Sequence, residues 1–174
     1  MRALTLTQPW TGLVASGLKP IENRPRPIIK REDFGKPFAL HASREIDEAV
    51  YDRIAQIAPE LATRVSGFGD EINWAFDVTQ PWFQLSRITS AVIGVATIES
   101  AVIEFTAADG AEYVVDLASK HVVDLGDQRR WFFGLIGYVL RDIRALATPV
   151  PCRGWQGFWT LPDDVVARVE EQLR

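Results

Sequence analysis

The sequence predicts an α+β fold, a small β-barrel with flanking helices formed as one domain. Strand-like segments are scattered over the whole length with helical segments between them, which disfavours a doubly wound sheet. No Gly-rich loop follows a strand, so neither a Rossmann nor a P-loop site finds support. The 174 residues, 47% hydrophobic and 24% charged, suffice to bury one core and show neither an internal repeat nor a linker.

Ala3 to Thr7 alternates as a first strand. Pro9 then suits the start of a short helix with Trp10, Leu13 and Val14 on one face, and Gly17 closes it in a left-handed cap. Glu22 to Pro27 carries two prolines and reads as extended but not as a central strand. Ile28 to Lys36 reads as a basic loop, and Pro37 to Ala42 as a buried second strand. Ser43 is placed to cap a long helix, since Ile46, Val50, Ile54, Ile57 and Leu61 recur at helical spacing. Residues 66–88 lack a period and hold Gly67, Gly69 and Pro81 among four aromatic residues, which suggests a long loop with aromatic anchors acting as a lid. Ser90 to Phe105 is β-rich, and Asp109-Gly110 marks a hairpin between Phe105 and Tyr113. Further strands are expected at Tyr138–Ile143 and Gly154–Leu161. Pro162 opens a last amphipathic helix with Val166, Val169 and Leu173 inward.

The formal net charge of −4 disfavours strong non-specific binding to duplex DNA. Its distribution is uneven. Residues 1–36 balance at +4, residues 37–127 at −10 and residues 128–174 at +2. If the two ends meet, they make a basic face on an acidic protein. The aromatic residues Trp10, Trp131, Phe132, Phe133, Trp155, Phe158 and Trp159 gather in the same two regions. Trp159, in a strand, is expected in the core, and Trp10 beside Pro9 at a cleft wall.

No stretch approaches the roughly 20 apolar residues that cross a bilayer, and Met1 to Gln8 lacks the apolar run of a signal peptide. The lone Cys152 fits a reducing cytoplasm and, beside Pro151, reads as a packed apolar residue. With His41 and His121 far apart there is no zinc spacing, so neither a metal nor a cofactor is expected.

The informative segment is Gln8-Pro9-Trp10 followed by Gly17-Leu18-Lys19-Pro20-Ile21-Glu22-Asn23-Arg24. In an extended stretch Glu22 and Arg24 share a face, and Lys19, just past the helix cap, can fold over them. The cluster offers a guanidinium fork for a phosphate or carbonyl. It also offers an amine that burial and a neighbouring carboxylate push in opposite directions. A bland role, an ion-pair network closing the barrel, competes with the functional one. His41 and Ser43 end a strand near this cluster, but no acid is placed to orient the histidine for Ser–His chemistry.

Gly17, Lys19, Glu22 and Arg24 match the G-x-K-x-x-E-x-R signature of the ASCH family, and the segment resembles that family in position as well. Phe38 to Ser43 and the tail through Trp131, Gly134, Leu140, Pro149, Gly154 and Trp159 are similar to it too. The resemblance is weak near 66–88 and 102–118, which read as insertions in a single ASCH domain over 1–174. It implies a PUA-like β-barrel related to the EVE and YTH domains, several of which bind RNA or modified bases, with the signature residues lining the cleft. The implied ligand site comprises Trp10, Lys19, Glu22, Arg24, His41 and Ser43, and the implied partner is RNA or a nucleoside or nucleotide. Small ASCH proteins that resemble amidohydrolases of N4-acetylcytidine imply an alternative, with Lys19 and Glu22 catalytic. In those the third residue after the lysine is a threonine nucleophile, and here it is Glu22. A metal-dependent ribonuclease is the third possibility.

Overall fold

The computed structural model describes residues 1–66 and 72–174. Nine strands and four helices follow in the order β1 (Arg2–Gln8), α1 (Trp10–Ala15), β2 (Ile21–Arg24), β3 (Pro37–Ile46), α2 (Ala49–Ile57), β4 (Ala62–Ser66), β5 (Ile72–Phe76), α3 (Pro81–Ser86), β6 (Ala91–Thr106), β7 (Glu112–Asp116), β8 (Ile136–Pro151), β9 (Phe158–Thr160) and α4 (Asp163–Glu171). Seven strands form one mixed sheet in the order β2-β8-β6-β3-β1-β9, with β7 paired to the far end of β6. Among the described residues only β1 and β3 run parallel; β4 and β5 pair antiparallel as a separate two-stranded sheet. The architecture is α+β, a mixed sheet curled into a half-barrel with flanking helices, as expected.

The curl comes from β6 and β8, each 16 residues long, whose pairing slips register at three places. Such irregularities bend a strand and deepen its twist. The run Ala91–Ile98, apolar but for Thr97, is buried along its whole length because it sits mid-sheet and is covered on both faces. On the concave side Leu4, Leu6, Phe38, Leu40, Ile93, Ile98, Tyr138 and Leu140 fill the barrel. On the other side Ala3, Ala39, Val95 and Trp159 pack under Val165 and Val169 of α4. A third cluster joins α1, α2 and α3 through Leu13, Tyr51, Ile54 and Trp82.

Several expectations need correction. Ser43 does not cap a helix: β3 runs on to Ile46, and α2 begins at Ala49. The sheet overrides the helical period there, since Ile46 pairs with Gln8 of β1 and the Ser43 carbonyl accepts from the Ser90 amide. The helix stops at Ile57 because the residue before Pro59 disfavours helical backbone, so Leu61 falls in a short 3-10 turn. Residues 66–88 are not one long loop. Ile72–Phe76 is a strand and Pro81–Ser86 a helix. Trp82 is buried among Tyr51, Phe76 and Phe83, so this part is core and not a lid. Gly67 and Gly69 lie outside the described residues. The strand expected over Gly154–Leu161 shrinks to Phe158–Thr160, and that over Tyr138–Ile143 grows to Ile136–Pro151. The hairpin at Asp109-Gly110 forms as the dipeptide predicts, with Phe105 opposite Tyr113.

Candidate functional site

Alternation along β1 and β3 builds the site. Ala3 and Ala39 lie on the face that α4 covers. Two and four residues on, the same stripes carry Thr5 and Thr7, and His41 and Ser43. β9 pairs with β1 only through Arg2–Leu4, so the cover ends there and the polar half of the stripe stays open. It floors a cleft of about 700 Å³.

Three walls surround that floor. Arg24, Pro25, Arg26 and Ile28 come from the end of β2 and the loop after it, where the prolines keep the chain off the sheet. Arg44 and Glu45 of β3 stand with Ser90 on the second side. The loop Arg153–Gly157 makes the third. In that loop Trp155 is 57% exposed, and the Arg153 guanidinium lies 4.7 Å from its ring centroid. The lining holds four arginines against one acid, Glu45, which itself lies 3.6 Å from Arg44.

The floor is wired. Trp159 Nε1 donates to Thr5 Oγ1 at 3.0 Å, and Thr5 Oγ1 lies 3.3 Å from Nδ1 of His41. His41 Nε2 lies 3.1 Å from the Cys152 carbonyl. A carbonyl only accepts, so Nε2 carries the proton and Nδ1 accepts from the threonine. His41 is 1% exposed and burial lowers its pKa, so the ring is neutral with both nitrogens engaged inside the protein. Gly154 lies against this ring; a Cβ there would stand 2.3 Å from His41 Cε1.

The signature residues do come together. Gly17 takes φ +81°, a conformation glycine adopts without steric cost, and turns the chain out of α1. Lys19 Nζ then meets Glu22 Oε2 at 3.1 Å and donates to the Ile21 carbonyl, while Glu22 Oε1 lies 3.0 Å from Arg24 Nε. Lys19 is 1% and Glu22 6% exposed, and neither lines the cleft. Burial outweighs the Glu22 charge and lowers the Lys19 pKa. Trp10 and Phe133 lie over the ammonium, with ring centroids 5.4 and 5.8 Å away, so Trp10 roofs Lys19 and does not wall the cleft. Arg24 alone of the three reaches the cleft, with its Nη2 donating to the Thr5 carbonyl at 3.1 Å. Ser43 lines it as well, its hydroxyl donating to the Glu45 carbonyl.

The sequence reading of the site missed Arg26, Arg44, Arg153, Trp155 and the Thr5–Thr7 stripe. The signal for Arg153 and Trp155 was present in the co-location of basic and aromatic residues at both ends of the chain. Among the described residues no three His, Cys, Asp or Glu side chains group to hold a metal ion. No described helix is long and apolar enough to cross a membrane.

No family model matches the sequence, and neither does any curated protein. Among solved structures the chain is similar to ASCH from Zymomonas mobilis, with a TM-score of 0.48 and 13% identity, covering 98% of this chain and 93% of that one. Two single-substitution variants of that protein align with TM-scores of 0.47 and 0.46 at 13% and 14% identity, each covering 98% of this chain and 94% and 96% of theirs. These three similar structures are all of one ASCH protein.

Proposed function

We propose that the cleft binds a phosphorylated nucleotide or a short stretch of single-stranded RNA without turning it over. One observation carries this reading: arginines on all three walls of an open cleft, with an exposed tryptophan at its rim. Guanidinium forks match phosphate oxygens in shape and charge. An exposed indole offers a stacking face to any base, and the Thr5, Thr7, Ser43 and Ser90 hydroxyls suit base edges or ribose. The overall charge of −4 fits the same reading, because attraction is confined to the cleft and duplex DNA gains little.

The hydrolase alternative draws less support. Lys19 is buried beneath Trp10 and Phe133, Glu22 is buried beside it, and His41 has no free ring nitrogen to take a proton from water.

Calorimetric titration with cytidine 5′-monophosphate and a cytidine hexanucleotide tests the proposal. Saturable binding that weakens as salt rises is expected, and Arg26→Ala should flatten the hexanucleotide's log–log salt slope by about 0.7, the loss of one phosphate contact. Saturable binding of neither probe overturns the reading.

A further inference from the structure

The buried Lys19–Glu22 pair has no path to a ligand, yet it sits in direct contact with a residue that does. We infer that Glu22 is a positioning residue for Arg24: it holds the guanidinium across the gap between β2 and β1 so that its remaining edge meets an anion in the cleft. This rests on the binding reading above.

One ion-pair contact and one hydrogen bond hold the guanidinium, the buried Nε–H lying close to the carboxylate without hydrogen-bond alignment. Glu22 Oε1 lies 3.0 Å from Nε, and the Thr5 carbonyl accepts from Nη2 at 3.1 Å. Nη1 makes no hydrogen bond to the described residues, and the Arg24 side chain keeps 22% of its surface exposed. An arginine on a flexible stem loses rotamer freedom when it binds phosphate, and one already held loses less. Glu22 can do this only if its own orientation is fixed. Lys19 supplies that, with Nζ spanning Glu22 Oε2 and the Ile21 carbonyl at the root of the same strand. The cation also offsets the cost of a carboxylate that is 6% exposed. The chain Lys19–Glu22–Arg24 therefore explains why two charged residues are buried one strand turn from an open, positively charged cleft.

Five proteins separate this role from plain structural support: wild type, Lys19→Met/Glu22→Leu, Lys19→Met/Glu22→Gln, Arg24→Lys, and the leucine variant carrying Arg24→Lys. The first double variant replaces the buried ion pair with apolar side chains of similar volume, an exchange that proteins often accept without loss of stability. The second returns an oxygen acceptor to Arg24. Affinity for cytidine 5′-monophosphate should fall about tenfold in the leucine variant and largely recover in the glutamine variant, with melting temperatures close to wild type. Adding Arg24→Lys to the leucine variant should cost nothing further, as expected for residues acting as one unit. In wild type, side-chain nitrogen NMR should show a slowly exchanging Arg24 Nε–H signal that moves on adding cytidine 5′-monophosphate, a readout independent of any variant's folding. Unchanged affinity in the leucine variant, additive losses on combining it with Arg24→Lys, or an Arg24 signal indifferent to the nucleotide would each overturn the inference while the hexanucleotide still binds. Loss of binding to both probes in wild type removes the cleft reading and this inference together.

Discussion

Thr5 and His41 stand opposite one another in the parallel β1–β3 pair, and the threonine hydroxyl closes a chain of hydrogen bonds running from the Trp159 indole to the Cys152 carbonyl. The pair fixes the cleft floor to the loop that carries Arg153 and Trp155. It also leaves no acceptor for the threonine proton if the imidazole becomes charged.

His41 should make stability pH-dependent. Burial lowers its pKa in the folded state, so below about pH 6.5 the unfolded chain takes up a proton that the folded one resists. Stability from this group is complete above that pH and falls as acid is added, down to the folded-state pKa. Denaturant midpoints measured between pH 7.5 and 5.5 should drop more in wild type than in His41→Gln. Parallel slopes for the two proteins would contradict this account.

Gly154→Ala should push directly on the same ring. The added methyl would meet His41 Cε1 at 2.3 Å, and His41 cannot yield without losing a hydrogen bond. Overpacking of this kind costs about 1–3 kcal/mol. Chemical denaturation should report that loss, together with weaker nucleotide binding as the loop lifts. A wild-type midpoint would show that the ring has room to move.

Residues 81–86 should behave as core. Trp82 is packed against Tyr51, Phe76 and Phe83, and Tyr51 and Ser86 share a 2.7 Å hydrogen bond. Trp82→Ala should cost about 3–5 kcal/mol. In hydrogen exchange, the amides of Phe83 and Gln84, both bonded to the Gln80 carbonyl, should resist exchange as strongly as those of β6. Rapid exchange there would restore the lid reading.

Trp155 should act on binding alone. It lines the cleft with 57% of its surface exposed, so Trp155→Ala is expected to leave the melting temperature within about a degree or two. Affinity for the cytidine hexanucleotide should fall by roughly 1–3 kcal/mol, the worth of one stacked base. Equal affinity in the two proteins would remove stacking from the site.

Strands β1, β3 and β6, the first helix, the Asp109-Gly110 hairpin and the meeting of Lys19, Glu22 and Arg24 were legible because each is a local pattern: alternation, a cap, a turn dipeptide, a short spacing. What was not legible depended on partners distant in sequence. Ser43 looked like a cap until β1 and Ser90 claimed its strand. Lys19 looked open to a ligand because nothing local says that Phe133, more than a hundred residues away, lies over its ammonium. The cleft itself is a gap left where β9 stops, and a gap has no residues of its own to read.

The pairing of β1 with β9 has a consequence for synthesis. Ala3 waits for Trp159 across 156 residues of chain, and Thr5 for the loop beside it. Contacts so distant in sequence close late. A nascent chain emerging from the ribosome therefore carries the arginines of the first two cleft walls but neither the indole nor the third wall. The proposed cleft is therefore incomplete on the ribosome until residues 153–159 have followed its first two walls out.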